Sequence, residues 1–166
     1  MIFKNLSKNL ILNLLIIMFI FTVDRITKIY IIYLNDKTYG AELFLSKFLN
    51  ISLVWNQGIA FGLFSFDQSH LYNLLTLVIT VIICVIFVMM VQSHGLKKYS
   101  LAMITGGALG NLYDRIAHKA VPDFIDFHIS NFHWFIFNIA DIFITIGVIF
   151  MILFELLVNN REHEKT

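Results

Sequence analysis

Asn138 and Asp141 stand three residues apart in Phe137-Asn138-Ile139-Ala140-Asp141, where the last hydrophobic segment of a 166-residue chain begins. An acid in such a segment costs about 3 kcal/mol if it faces lipid, so it normally points into a bundle or a cavity. Several other groups in the chain can be asked to meet it. Asn111, Asp114 and Arg115 lie at i, i+3 and i+4 and project from one side of a helix. Asp24 and Lys28 are four apart, the helical spacing at which opposite charges pair. Asp123 and Asp126 belong to a polar stretch after the only proline, Pro122. Two carboxylates in a poorly solvated cavity tend to share one proton. Such a pair can take a proton from an attacking water and polarise a peptide carbonyl at once. Spacing alone leaves open which acid partners Asp141; Asp114 beside Arg115 reads as an ion pair and Asp126 as an exposed loop acid. The serines show no Asp/His arrangement. The six histidines are scattered without HExxH or His/Cys spacing, so neither a metal nor a cofactor is expected.

The elements that must position these groups belong in a membrane. With 58% hydrophobic residues and a mean hydropathy of +0.79, the chain carries more apolar surface than a soluble domain of its size buries. A net charge of +1 makes no case for nucleic acid, and the single Cys84 allows no intrachain disulfide. Spans are expected at 9–34, 71–91, 100–117 and 134–158. The first follows Lys4 and Lys8 like a signal peptide, but Asp24-Arg25-Ile26-Thr27-Lys28 is no small-residue cleavage site and the apolar run resumes after it. Gly106 and Gly110 give the third span a small-residue face for close helix approach. The loops 35–69 and 118–133 are too polar to cross. The first holds β-prone Ile51 to Trp55 and the turn Asn56-Gln57-Gly58, in which Asn56 either makes the turn or bonds a peptide. In the second, Pro122 ends the third helix and sets Asp123 in a turn near the membrane surface.

Basic residues in three short segments, Lys4 and Lys8, Lys97 and Lys98, Arg161 and Lys165, put both termini on the cytoplasmic side. At ~1.5 Å per residue, Lys28, Asn111 and Asp141 lie roughly 9–10 Å, and Asp24 about 15 Å, below the outer helix ends. They share the level of the outer leaflet. An ion-conducting relay would need carboxylates through the full thickness, whereas 71–91 is uncharged; a scaffold would explain the glycines but not the converging acids.

Five ordered motifs carry a resemblance over nearly the whole chain: Asp24-Arg25-Ile26-Thr27-Lys28, Asn56-Gln57-Gly58-Ile59-Ala60-Phe61, Gly106 through Arg115, Asp123-Phe124-Ile125-Asp126, and Phe137 through Asp141. In these the chain resembles the lipoprotein signal peptidases, or signal peptidase II. The resemblance implies an all-α membrane protein, a four-transmembrane-helix bundle with a small extramembrane β-cradle and an interfacial helix within 35–69. It implies an aspartic endopeptidase of the bacterial inner membrane that cuts a prolipoprotein on the amino side of its diacylglyceryl-modified cysteine. The resemblance names Asp123 and Asp141 as the catalytic dyad. It places Asn56, Asn111, Arg115 and Asn138 at the substrate site, with Asp24, Lys28 and Asp114 in support, and Gly58 and Ala140 binding substrate or supporting the site. The implied partners are lipid-modified prolipoproteins and membrane lipid, with no cofactor. Pro122 stands where the family pattern usually has valine.

Overall fold

The structure, a computed structural model, describes residues 2–40, 44–58, 69–130 and 132–163. The order is α1 (Ile2–Lys37), β1 (Phe44–Leu45), β2 (Leu49–Asn56), α2 (Ser69–Gln92), α3 (Lys97–His118), β3 (Val121–Ile129), β4 (Phe132–Phe137) and α4 (Ile139–His163). The four helices fall where apolar runs predict them, but the fold is not all-α. The strands form one antiparallel sheet in the order β1-β2-β3-β4. The expected interfacial helix falls largely on residues outside those described.

Among the described residues, three helical stretches are long and apolar enough to cross a membrane: Leu10–Lys37, His70–Gln92 and Ile139–Leu157. Their outward faces carry large exposed apolar side chains, among them Leu15, Phe19, Leu77, Val81, Phe150 and Leu153. Helix α3 differs because α1, α2 and α4 all pack on it. Its polar residues Ser100, Thr105, Asp114 and Arg115 are buried in protein rather than offered to lipid, which lowers its hydropathy without exposing charge.

Small residues allow this enclosure. A Cβ on Gly106 would sit 3.1 Å from the Ile17 carbonyl oxygen of α1, and one on Gly110 2.5 Å from Asp24 Oδ2. The Gly106–Gly110 face is therefore the α1–α3 crossing. Gly107 serves α4 instead, since a Cβ there would meet the Ala140 carbonyl oxygen at 2.5 Å. Gly147 returns the contact, since a Cβ there would meet the Ser100 carbonyl oxygen at 2.8 Å. Close backbone approach brings the helices that bear Asp24, Asn111 and Asp141 together.

The stretch 118–133, expected as a loop, is mostly sheet. After α3 the chain reverses through Lys119 in the left-handed region (φ 53), whose N–H donates to the Arg115 carbonyl at 3.2 Å. Strand β3 then lies between β2 and β4. Residues 134–137, assigned from hydropathy to the fourth span, form the end of β4, and the helix starts at Ile139. Trp134, Phe135 and Phe137 are as apolar as a span, and a short aromatic run does not distinguish strand from helix. Pro122 is accommodated because β4 pairs only from Ile125 onward, leaving β3 one neighbour at Pro122, where β2 offers Trp55.

Candidate active site

Asp123 lies in β3 rather than in a turn, and Asp141 lies in the first turn of α4. Asn138 begins that helix as its N-cap. Its Oδ1 accepts from the Asp141 N–H at 3.1 Å, and Asp141 Oδ2 accepts from the Asn138 N–H at 3.1 Å. This reciprocal capping box satisfies two helix-end donors and fixes the Asp141 rotamer. The amide Nδ2 of the same Asn138 donates to Asp123 Oδ1 at 2.6 Å. One fully buried asparagine thus ties the two acids together.

Every oxygen of the two carboxylates has a donor. Asp123 Oδ2 accepts from Asn56 Nδ2 at 2.9 Å, and Asp141 Oδ1 accepts from Asn111 Nδ2 at 2.8 Å. Of its two expected jobs Asn56 does the first: its Oδ1 accepts from the Gly58 N–H at 2.9 Å and makes the turn, while its amide is spent on Asp123. Asn111 is held from behind: Lys28 Nζ donates to its Oδ1 at 2.8 Å. With an ammonium on the oxygen, the amide nitrogen must face Asp141.

Lys28, 1% exposed, also pairs with Asp24 at 3.0 Å and Asp114 at 2.8 Å. The i, i+4 pair read from the sequence is present and inward-facing. Asp24 reaches the far side of the site, where its Oδ1 accepts from the Ala140 N–H at 3.0 Å. Ala140 therefore contributes through its backbone, its N–H to Asp24 and its carbonyl oxygen to the space that Gly107 leaves by having no side chain. Thr27 stays within its own helix, its hydroxyl donating to the Val23 and Asp24 carbonyls.

Two expectations change. Asp114 does not pair with its neighbour Arg115; it accepts two bonds from Arg25, at 2.5 and 2.6 Å, besides that from Lys28. Adjacent residues on a helix point about 100° apart, and α1 brings Arg25 to the face that Asp114 occupies. Arg25, which the sequence reading passed over, also lies 4.8 Å from the Tyr113 ring centre. Asp126 is no exposed loop acid: it is 4% exposed in β3, and His133 Nδ1 lies 2.8 Å from its Oδ2.

Freed from Asp114, Arg115 lines a cleft of about 300 Å³ with Asn56, Asn111, Asp123 and Asp141. Its Nη1 is buried with no hydrogen-bond partner among the described residues. Ile79, Ala108 and Ile144 supply apolar wall to the same cleft. Sequence patterning gave no sign of them, since they look like any other span residue. Burial, followed by the nearby Asp141 charge, pushes the Asp123 carboxyl up to about 6, against the opposing bonds from Asn56 and Asn138 and the Lys28 charge.

Membrane-length helices enclosing a charged network, with two amide-held carboxylates opening on one cleft under a small sheet, define a membrane protein equipped for acid–base chemistry. Residues 16–157 match the model of the family described as signal peptidase (SPase) II. The chain is 52% identical over 155 residues to the lipoprotein signal peptidase of Pelagibacter ubique (strain HTCC1062), covering 93% of each chain. It is 38% identical over 152 residues to that of Anaplasma marginale (strain Florida), covering 90% of this chain and 87% of the other. In three dimensions it is similar to a bacterial membrane enzyme solved by the in meso method at 2.3 Å, with a TM-score of 0.68, 31% identity, and 89% and 88% of the two chains covered. The chain belongs to the signal peptidase II family and is a bacterial membrane peptidase.

Proposed function

We propose that the protein is an aspartic endopeptidase that removes the signal peptide from diacylglyceryl-modified prolipoproteins, cutting on the amino side of the lipidated cysteine. The observation that carries the reading is the shared cleft of Asp123 and Asp141, each with both oxygens held by amides or a backbone N–H. The pair holds one proton. Its ionised member accepts a proton from water as the water oxygen attacks the scissile carbonyl, and its protonated member donates to that carbonyl oxygen. When the tetrahedral species collapses, the leaving amine takes the proton from the member that received it, and a diol hydroxyl returns its proton to the other member, so the pair again holds one. Asn56, Asn111 and Asn138 hold the acids so that this exchange needs no side-chain rearrangement.

Arg115, with its spare buried donor, binds a backbone carbonyl of the extended substrate in the cleft. The apolar wall from Ile79, Ala108 and Ile144 receives small side chains next to the cut. Asp24, Lys28 and Asp114 support the site without touching substrate. Gly58 and the β2 turn cover one side.

In this reading α3 is a fourth span, both termini are cytoplasmic, and the site lies towards the outer leaflet of the inner membrane. Three basic segments on one side support the orientation. A cleft at that depth, walled by lipid-facing helices, admits a substrate that arrives laterally with its lipid attached. The test is cleavage of a lipidated prolipoprotein by purified Asp123→Asn and Asp141→Asn proteins, each expected to lose at least about a hundredfold. Near-normal turnover in either folded variant overturns the dyad, and efficient cleavage of the unmodified precursor overturns the lipid requirement.

A further inference from the structure

Outside the cleft, the β3–β4 hairpin assembles a second set of chemistry-bearing side chains. Asp126 and His128 are two apart on β3 and share a face, and His133 on β4 is the direct register partner of His128. The ligand-capable atoms of the three residues lie within 4.8 Å of one another. The imidazole rings of His128 and His133 stack with centres 5.0 Å apart. Sequence spacing concealed this set, because one member arrives by strand pairing.

Asp126 is 4% exposed and His128 8% exposed, yet Asp126 Oδ1 and His128 Nδ1 have no hydrogen-bond partner among the described residues. A buried polar atom left unsatisfied costs about 1–3 kcal/mol. Two such atoms on one strand face, beside a third residue that offers another lone pair, ask for a common electron-pair acceptor. Two imidazole nitrogens and one carboxylate oxygen form a donor set suited to zinc and other first-row divalent ions.

We propose that Asp126, His128 and His133 form a binding site for a divalent transition-metal ion, Zn²⁺ foremost, which clamps the β3–β4 hairpin. With zinc bonds of ~2.0–2.1 Å, tetrahedral ligand atoms stand about 3.3 Å apart, so the set must contract by up to about 1.5 Å. His133 can supply that movement because its side chain is 53% exposed while the other two are held in the sheet. Three protein ligands leave a fourth position for water. The ion sits on the strand that carries Asp123, three residues away, while strand alternation turns Asp126 to the opposite face from Asp123. Occupancy therefore stiffens the strand without entering the cleft.

The test is titration of Zn²⁺ into untagged, chelator-treated full-length protein in detergent micelles, followed by calorimetry, with Co²⁺ absorption as a coordination signature. One ion per chain is expected, with affinity weakened at least about tenfold in His128→Ala and in His133→Ala. His70→Ala is expected to bind as wild type. His133 is exposed enough that its variant retains the fold, so it decides the matter if His128→Ala does not purify. Absence of saturable Zn²⁺ binding overturns the proposal, as does stoichiometric binding that persists unchanged in His133→Ala.

Discussion

Asn138 donates its side-chain amide to Asp123 at 2.6 Å while its Oδ1 caps the helix that bears Asp141. The two functions can be separated. In Asn138→Ser the hydroxyl still caps α4 but is too short to hold Asp123. A hydrogen bond to a charged group is worth about 1.5–3 kcal/mol. Loss of that bond in the transition state lowers kcat/KM by about 10- to 100-fold. Asn138→Ala also loses the cap, about 1 kcal/mol further in stability. Steady-state kinetics on a lipidated substrate and thermal melts in detergent distinguish these variants, and Asn138→Ser at wild-type kcat/KM would refute the tether.

Lys28 acts one step further back. It fixes the Asn111 amide so that nitrogen, not oxygen, faces Asp141, and it neutralises Asp24 and Asp114 where neither meets solvent. Replacing it by Met fits the volume but leaves two buried carboxylates sharing Arg25 alone. The expected loss is about 3 kcal/mol of stability, the size seen when one partner of a buried pair is removed. At temperatures where Lys28→Met remains folded, kcat falls and KM changes little, because Lys28 acts through Asn111 and does not touch substrate. A purely structural role would leave kcat of the folded fraction intact, and that result sinks the orienting argument.

Much of this site was legible because membrane-embedded polar residues are costly enough to be conspicuous. Asp24, Lys28, Asn111 and Asp141 announced themselves by type and depth, and their hydrogen bonds join them at one level. Asp123 did not, since a polar stretch outside the apolar runs offers many acids at no evident cost; the family resemblance selected it. Arg25 was hidden for a related reason, as its partner Asp114 is 89 residues away and a neighbour of opposite charge seemed sufficient. The β3–β4 hairpin was missed where aromatic residues 134–137 continue an apolar run, so hydropathy extended a helix across a strand. Long-range pairing also made the Asp126–His128–His133 cluster, which no linear spacing displays.

The Asp123 carboxyl links stability and activity to pH. Burial and the Asp141 charge raise it from 3.8 to about 6 in the folded protein. A raised folded pKa favours the folded state at low pH: the contribution is full below about 4 and is lost as pH rises through about 6. That rise corresponds to about 3 kcal/mol from this group. Thermal melts in detergent are therefore expected to fall between pH 5 and pH 8, and the fall is expected to be smaller in Asp123→Asn, which has no proton to lose. Under the proposed mechanism the same ionisation removes the proton that the pair shares, so kcat/KM of the wild type is expected to decline on the alkaline side of that pKa. A melting temperature that changes equally with pH in wild type and Asp123→Asn would assign the titration to another group.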